Sequence, residues 1–328
     1  MPAIPPEKLV EAITNALSDS GVEAQFVSPV RRQPRRFILA GQNVPLALTI
    51  YAWTLTPGGR PSLRDEYRIQ MTSVSSPLTM GTDGPTILVG YDSERNLFAG
   101  FDLERHSSFT TGSPSVQIDI NELRKAETAG LSFHRKSNDE IAIGIRSDML
   151  LAYAMNARLL HRFGTSTSVL RLLNQSLHSP VPQPAIENLS VERRRVISEV
   201  NRLSRDASFR QRVLFAYGNK CAVTRIQLKL VEAAHILPVG ASGSADHVTN
   251  GLALSPTYHR AYDAGLIYLD ENYRMRLNEG RLQMLNHLNL AGGVDSFRAP
   301  LGEIFLPPDP QQRPSIDFIR RANQVRHI

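Results

Sequence analysis

The spacing of apolar and polar positions changes period several times along the chain, and each change marks an element. After Pro5-Pro6, apolar Leu9, Val10, Ile13 and Leu17 recur at three- and four-residue intervals, which predicts a helix with Gly21 as its stop. The period then shortens. Runs rich in β-branched and aromatic residues at 36–40, 46–55, 66–71, 86–91, 97–102 and 116–118 predict short strands. Turn signals such as Pro57-Gly58-Gly59 and Asp83-Gly84-Pro85 separate them. A short helix is predicted at 121–126, and further strands at 131–134 and 140–145. Helical spacing returns over 149–163, capped by Ser147 or Asp148 and closed by Gly164. The sum is an α+β domain, residues 1–165, with one central sheet.

Periodicity fades over 166–190. The stretch SLHSPVPQPAIENLS holds three prolines and reads as a partly extended linker. A second domain is predicted over 191–328. Helices are expected at 191–205 and 207–217, with Ser190 and Asp206 as caps, and strands at 221–222 and 231–236. A polar loop, 240–249, precedes an apolar run and a short helix at 256–264. Strands at 267–269 and 274–277 and a last helix at 315–323 complete it.

Composition narrows the classes. With 328 residues, 41% hydrophobic and 21% charged, the chain suits two globular domains and excludes a disordered chain, a collagen or a coiled-coil rod. A lone Cys excludes an internal disulfide and any zinc site built on two of the chain's own thiolates. No apolar run is long enough to span a membrane, and MPAIPPEKLVEA lacks the pattern of a secretion signal, so a cytoplasmic protein is expected. The net charge of +6 favours a polyanionic partner, weakly.

The chemistry concentrates in 231–270. His235 ends a predicted strand, Asn250 follows the polar loop, and His259 and Asp263 stand four apart on the short helix. That spacing puts both on one helix face, where an imidazole and a carboxylate can hold a divalent cation. An imidazole leaving the strand can take a proton from water. Together these residues suit hydrolysis of a phosphodiester with one metal ion.

The stretch resembles the HNH, or ββα-metal, nucleases. The order matches: His235 three residues before Pro238, then Asn250, His259 nine later and Asp263 four after that. The flanks FRQRVLFAYGNKCAVT and NGLALSPTYHRAYDAGLI look like the HNH branch found at the C-terminus of restriction endonucleases. The resemblance covers roughly 205–325. It implies a ββα-metal fold, with His235 as general base, Asn250 tying the loop to the hairpin, and His259 and Asp263 as metal ligands. Carboxylate, imidazole and water suit hard ions, so Mg²⁺ or Mn²⁺ is the expected cofactor, and double-stranded DNA is the expected partner. The family often has an Asp or His ligand just before the base, and here that position is Ala234. Glu232, two residues earlier on the same side of a strand, is the candidate replacement; a structural salt bridge is its equal alternative. With Cys221 alone, the two CxxC knuckles of many relatives are missing, so no structural zinc is expected.

The remaining polar residues support two readings each. Arg193, Arg210 and Arg212 either contact DNA phosphates or lie on a solvated helix among Glu192, Glu199 and Asp206. Arg31 and Arg32, clustered with Arg35 and Arg36, are either a phosphate clamp or a solvated turn. Asp246, His247 and His161 have no motif support and read as surface residues. In the first domain, Glu66 gives E-Y-R and Glu94 gives E-R-N, so the E-x-K of a second nuclease core is missing. A module that reads DNA or senses base modification is the expectation there, by analogy with restriction enzymes that carry a terminal HNH domain. The alternatives are a nonspecific defence nuclease with a sensor domain, and an inactive HNH scaffold that regulates by binding DNA. One HNH site per chain favours a homodimer for cutting both strands, although sequential nicking also suffices.

Overall fold

A computed structural model describes residues 3–40, 46–60, 62–110, 114–163, 166–177 and 181–328. The chain divides into two compact units, Met1–Ala207 and Ser208–Ile328.

In the first unit, helix α1 (Pro6–Asp19) buries Leu9, Ile13, Ala16 and Leu17, and Gly21 beyond it takes a left-handed φ of 87°. The strands that follow are β1 (Glu23–Phe26), β2 (Arg35–Ala40), β3 (Leu46–Thr54), β4 (Thr56–Pro57), β5 (Glu66–Gln70), β6 (Thr86–Asp92) and β7 (Leu97–Phe101). After α2 (Leu103–His106) come β8 (Ser115–Asp119), α3 (Ile120–Ala129), β9 (Leu131–Arg135), β10 (Ile141–Arg146) and α4 (Leu150–Arg162). Gly164, the expected stop of α4, lies outside the described residues.

Among the described residues a seven-stranded sheet runs β1-β2-β3-β6-β7-β10-β9. Only its β3–β6 pair is parallel. Strands β6, β7 and β10 are apolar along most of their length because both faces of the sheet are covered. The two-residue period survives inside them: Ile87, Val89 and Tyr91 enter one core with α1 and α4, while Leu88 enters the other with Ile69, Val116 and Leu123. Gly100 leaves the room that the Tyr153 ring of α4 fills. A second sheet, β4-β5-β8, backs the latter core and was not separated from the central sheet by the sequence pattern.

The stretch expected as a linker is helical in part. It holds α5 (Thr167–Ser176) and α6 (Gln183–Ile186), and Val169, Leu173, Leu177 and Ile186 are buried in the first core. Prolines mask this, yet Pro184 sits in the first turn of α6, where a missing N–H costs nothing. The two helices expected next are one, α7 (Val191–Ala216). Asp206 is not a cap; it receives Arg202 one turn back at 3.1 Å. Val196, Ile197 and Val200 of α7 belong to the first core, and Phe209, Val213 and Ala216 to the second.

The second unit is built on β11 (Glu232–His235) and β12 (Gly251–Leu254), an antiparallel pair in which His235 faces Gly251 in register. Helix α8 (Pro256–Asp263) follows, then β13 (Ile267–Leu269), β14 (Arg274–Leu277), α9 (Glu279–His287), α10 (Val294–Arg298), β15 (Gly302–Glu303) and α11 (Ile316–Val325). The expected strand at 221–222 is a buried turn whose Ala222 N–H donates to Ala253 O at 2.7 Å. Helices α9 and α10 were not anticipated; of their residues only Leu282 is buried, so they carry little amphipathic signal.

Candidate active site

Helix α8 explains why its ionisable residues face outward. Tyr258 and Tyr262 stand four apart and are buried in the core, so His259 and Asp263, one position on, project from the neighbouring stripe. Burial pushes the Tyr262 phenol up to about 12, and the Arg326 guanidinium lies 4.4 Å over its ring. His259 is held between two carboxylates. Its Nδ1 lies 2.6 Å from Glu232 Oε2, and its Nε2 lies 3.3 Å from Asp263 Oδ2.

Among the described residues no group of three or more His, Cys, Asp or Glu side chains converges as a metal cage. The His259–Asp263 pair is the part that fits a divalent cation. Its 3.3 Å donor separation is close to that of two ligands sharing one ion at about 2.1 Å each. Glu232 is not placed as the third ligand beside them. Its carboxylate lies against the opposite ring nitrogen, Nδ1. A carboxylate at that position accepts from Nδ1–H of the neutral ring, which leaves the Nε2 lone pair on the side of Asp263.

His235 has its own partners. Its ring stacks on Phe209 of α7 with centroids 3.8 Å apart and planes 10° apart. Its Nε2 lies 3.1 Å from Asp246 Oδ1. Gly251 is what lets α7 come so close, since a Cβ there would strike Val213 and crowd Phe209.

Asn250 is fully buried and holds the polar loop to the strand. Its Oδ1 accepts from Leu237 N–H at 2.8 Å, and its Nδ2 donates to Ala245 O at 2.9 Å and Leu237 O at 3.2 Å. Ile236 N–H donates to Asn250 O at 2.8 Å, which fixes the residue after His235. A buried amide with four hydrogen-bonding sites is costly to leave unsatisfied, and here both of its ends are used.

Residues 221–270 match the model of the HNH endonuclease family. That segment is an HNH endonuclease domain. A second family model, Methylase-associated X1, matches residues 46–154, within the seven-stranded sheet and its partner layer. No curated protein matches the chain. Among solved structures, a modification dependent TagI restriction endonuclease is similar at 13% identity over 85% of this chain and 81% of that one. The TM-score of 0.30 is too low to equate the two folds.

The arginines divide by what they already hold. Arg212 donates to Asp246 O at 2.9 Å and to Ser208 O at 3.2 Å, so its guanidinium is engaged with the protein. Arg193 lies 5.9 Å over the Phe163 ring, and Arg210 is on the same helix α7. In the first unit Arg35 is buried and donates to Ala52 O, while Arg36 pairs with Asp83. Of that cluster Arg31 and Arg32 are exposed, Arg31 lying 3.6 Å from Glu7. His161 is not a surface residue. It is buried in α4, bonded to Tyr153 and to Ile141 O. Asp246, also read as surface, meets His235. Nothing in the sequence singled out Asp246 or Phe209, because a loop carboxylate and an apolar helix position are each common. No described helix is long and apolar enough to cross a membrane.

Proposed function

We propose that the chain is a restriction-type DNA endonuclease that hydrolyses phosphodiester bonds with His235 as general base and one divalent cation, Mg²⁺ or Mn²⁺. The ordered set His235, Asn250, His259 and Asp263 on a strand–strand–helix unit matched to the HNH family carries this reading. His235 takes a proton from the attacking water through an imidazole held flat by Phe209. Asn250 keeps the loop and the end of β11 in register. His259 and Asp263 hold the cation, and Glu232 orients His259 from behind. When bound, the cation offsets charge developing on the phosphate oxygens.

The first unit selects the site, reading modified or unmodified bases. A methylase-associated family over 46–154 joined to an endonuclease domain supports this, since a nuclease paired with a methylase must distinguish modified DNA. Arg31 and Arg32 are its candidate phosphate contacts, with Arg193 and Arg210 on α7. The test is cleavage of supercoiled plasmid by the full chain, with Mg²⁺, Mn²⁺ or EDTA, on unmodified, methylated and hydroxymethylated DNA. Metal-dependent cutting that changes with modification is expected. Cutting indifferent to modification overturns the selective role and leaves a nonspecific nuclease. No cutting of any substrate leaves a DNA-binding scaffold.

A further inference from the structure

We infer that Asp246 is a positioning residue for the base, holding His235 in the tautomer whose Nδ1 is free to take the proton. The inference rests on the reading of His235 as general base. Two contacts and one open ring nitrogen carry it. The Asp246 carboxylate lies 3.1 Å from His235 Nε2, within hydrogen-bond reach. A carboxylate there accepts from Nε2–H, which places the lone pair on Nδ1, and Nδ1 has no hydrogen-bond partner among the described residues. The stacked Phe209 ring, 3.8 Å away at 10°, fixes the remaining freedom of the imidazole plane.

The main chain that carries this carboxylate is held on both sides of it. Arg212 of α7 donates to the Asp246 main-chain oxygen at 2.9 Å. One residue earlier, Asn250 Nδ2 donates to Ala245 O at 2.9 Å, and Ser244 Oγ donates to Leu237 O at 3.0 Å. The side chains of His235 and Asp246 are 16% and 17% exposed, so solvent competes little for the contact. The loop 240–249 therefore delivers a carboxylate to the base from 11 residues away in the chain. The arrangement is that of a base oriented by an acid on its far ring nitrogen, in which the acid sets the tautomer and never takes the proton. Arg212 acts at one remove, by fixing the loop. This also gives its guanidinium a use other than binding phosphate.

The experiment uses the full chain. Long-range ¹H–¹⁵N spectra of the neutral imidazole, assigned by the signal lost in His235→Gln, report the tautomer directly. Wild-type protein is expected to show Nε2–H at His235. Asp246→Asn is expected to shift the ring toward Nδ1–H, because a carboxamide can donate to Nε2 where a carboxylate cannot. In plasmid cleavage with Mg²⁺ or Mn²⁺, Asp246→Asn should lower kcat at least ~10²-fold while KM for DNA stays within about twofold. An Nδ1–H tautomer in the wild type overturns the inference, and that measurement stands even where the variant fails to fold. It is equally overturned by an inactive His235→Ala beside a fully active Asp246→Asn. Full activity in His235→Ala removes the base reading itself, and the role of Asp246 with it.

Discussion

In the first unit His106 Nε2 meets Glu140 at 2.7 Å and Lys136 meets the same carboxylate at 3.1 Å, with the Glu140 side chain 3% exposed. In the second unit His259 lies between Glu232 and Asp263, whose side chains are 48% and 61% exposed. Both regions join imidazole to carboxylate at hydrogen-bond distance, yet they do different work. Burial opposes the charge on Glu140, but the hydrogen bond from His106 and the charge of Lys136 outweigh it and hold the carboxyl at about 2. A sealed pair of this kind turns its interaction into structure. The pair on α8 is open to solvent, and on the reading proposed above it trades a proton partner for a cation. Exposure, and not residue type, separates the two roles.

The largest effect that would break this contrast is at His235. Replacing it with Ala should cut the cleavage rate by ~10²–10⁴ while DNA binding and melting temperature change little. Wild-type cleavage in that variant would place the chemistry elsewhere. The matching change in the sealed region is Glu140→Ala, which leaves Lys136 buried without its partner. It should destabilise the first unit by about 3–5 kcal/mol in urea unfolding, with the site geometry of the second unit untouched. Burial also pushes the Lys136 ammonium below its usual range, against the pull of Glu140, so the lower end of that span is expected. A loss under about 1 kcal/mol would mean that the pair is not sealed in solution.

Acid should also separate the two regions. Burial drives His161 down from 6.5 to about 4, so the folded chain keeps it neutral where the unfolded chain takes a proton. Its contribution is present above pH 6.5 and lost as pH falls to about 4. Glu140, depressed from 4.5 to about 2, adds a second loss across that lower window. Each amounts to at most roughly 3 kcal/mol. Thermal melts of the first unit's transition from pH 8 downward should therefore start to fall near pH 6.5, and His161→Phe should remove the upper part of the fall. A flat profile to pH 4 would contradict the burial of His161. The smallest effect belongs to Glu232. Its replacement by Ala should weaken Mn²⁺ binding by about 10–100-fold in calorimetry, whereas His259→Ala and Asp263→Ala should abolish it. Abolition in the Glu232 variant as well would make it a direct ligand and reopen the arrangement around His259.

The sequence alone located the strands of the first sheet other than β1, which it did not separate from the turn after α1, and the four motif residues of the second unit. Strands β13 and β14 fall at their predicted positions, because a dense apolar alternation bounded by turn residues has few other solutions. The spacing of His259 and Asp263 sets them on one helix stripe, because 3.6 residues per turn is a property of the backbone. What the chain could not reveal are contacts made across loops and helices. The linker prolines hid α5 and α6, whose apolar residues found a core made by other elements. His161 reads as polar and is buried, because Tyr153 and the Ile141 carbonyl meet both of its nitrogens. Glu232 ended on the far nitrogen of His259, and Asp246 beside His235, because strand pairing and loop closure decide which side chains meet. Local spacing is written in the chain by covalent geometry. Proximity between residues 11 or 27 positions apart is decided only when the hairpin closes and α7 and α8 pack against it.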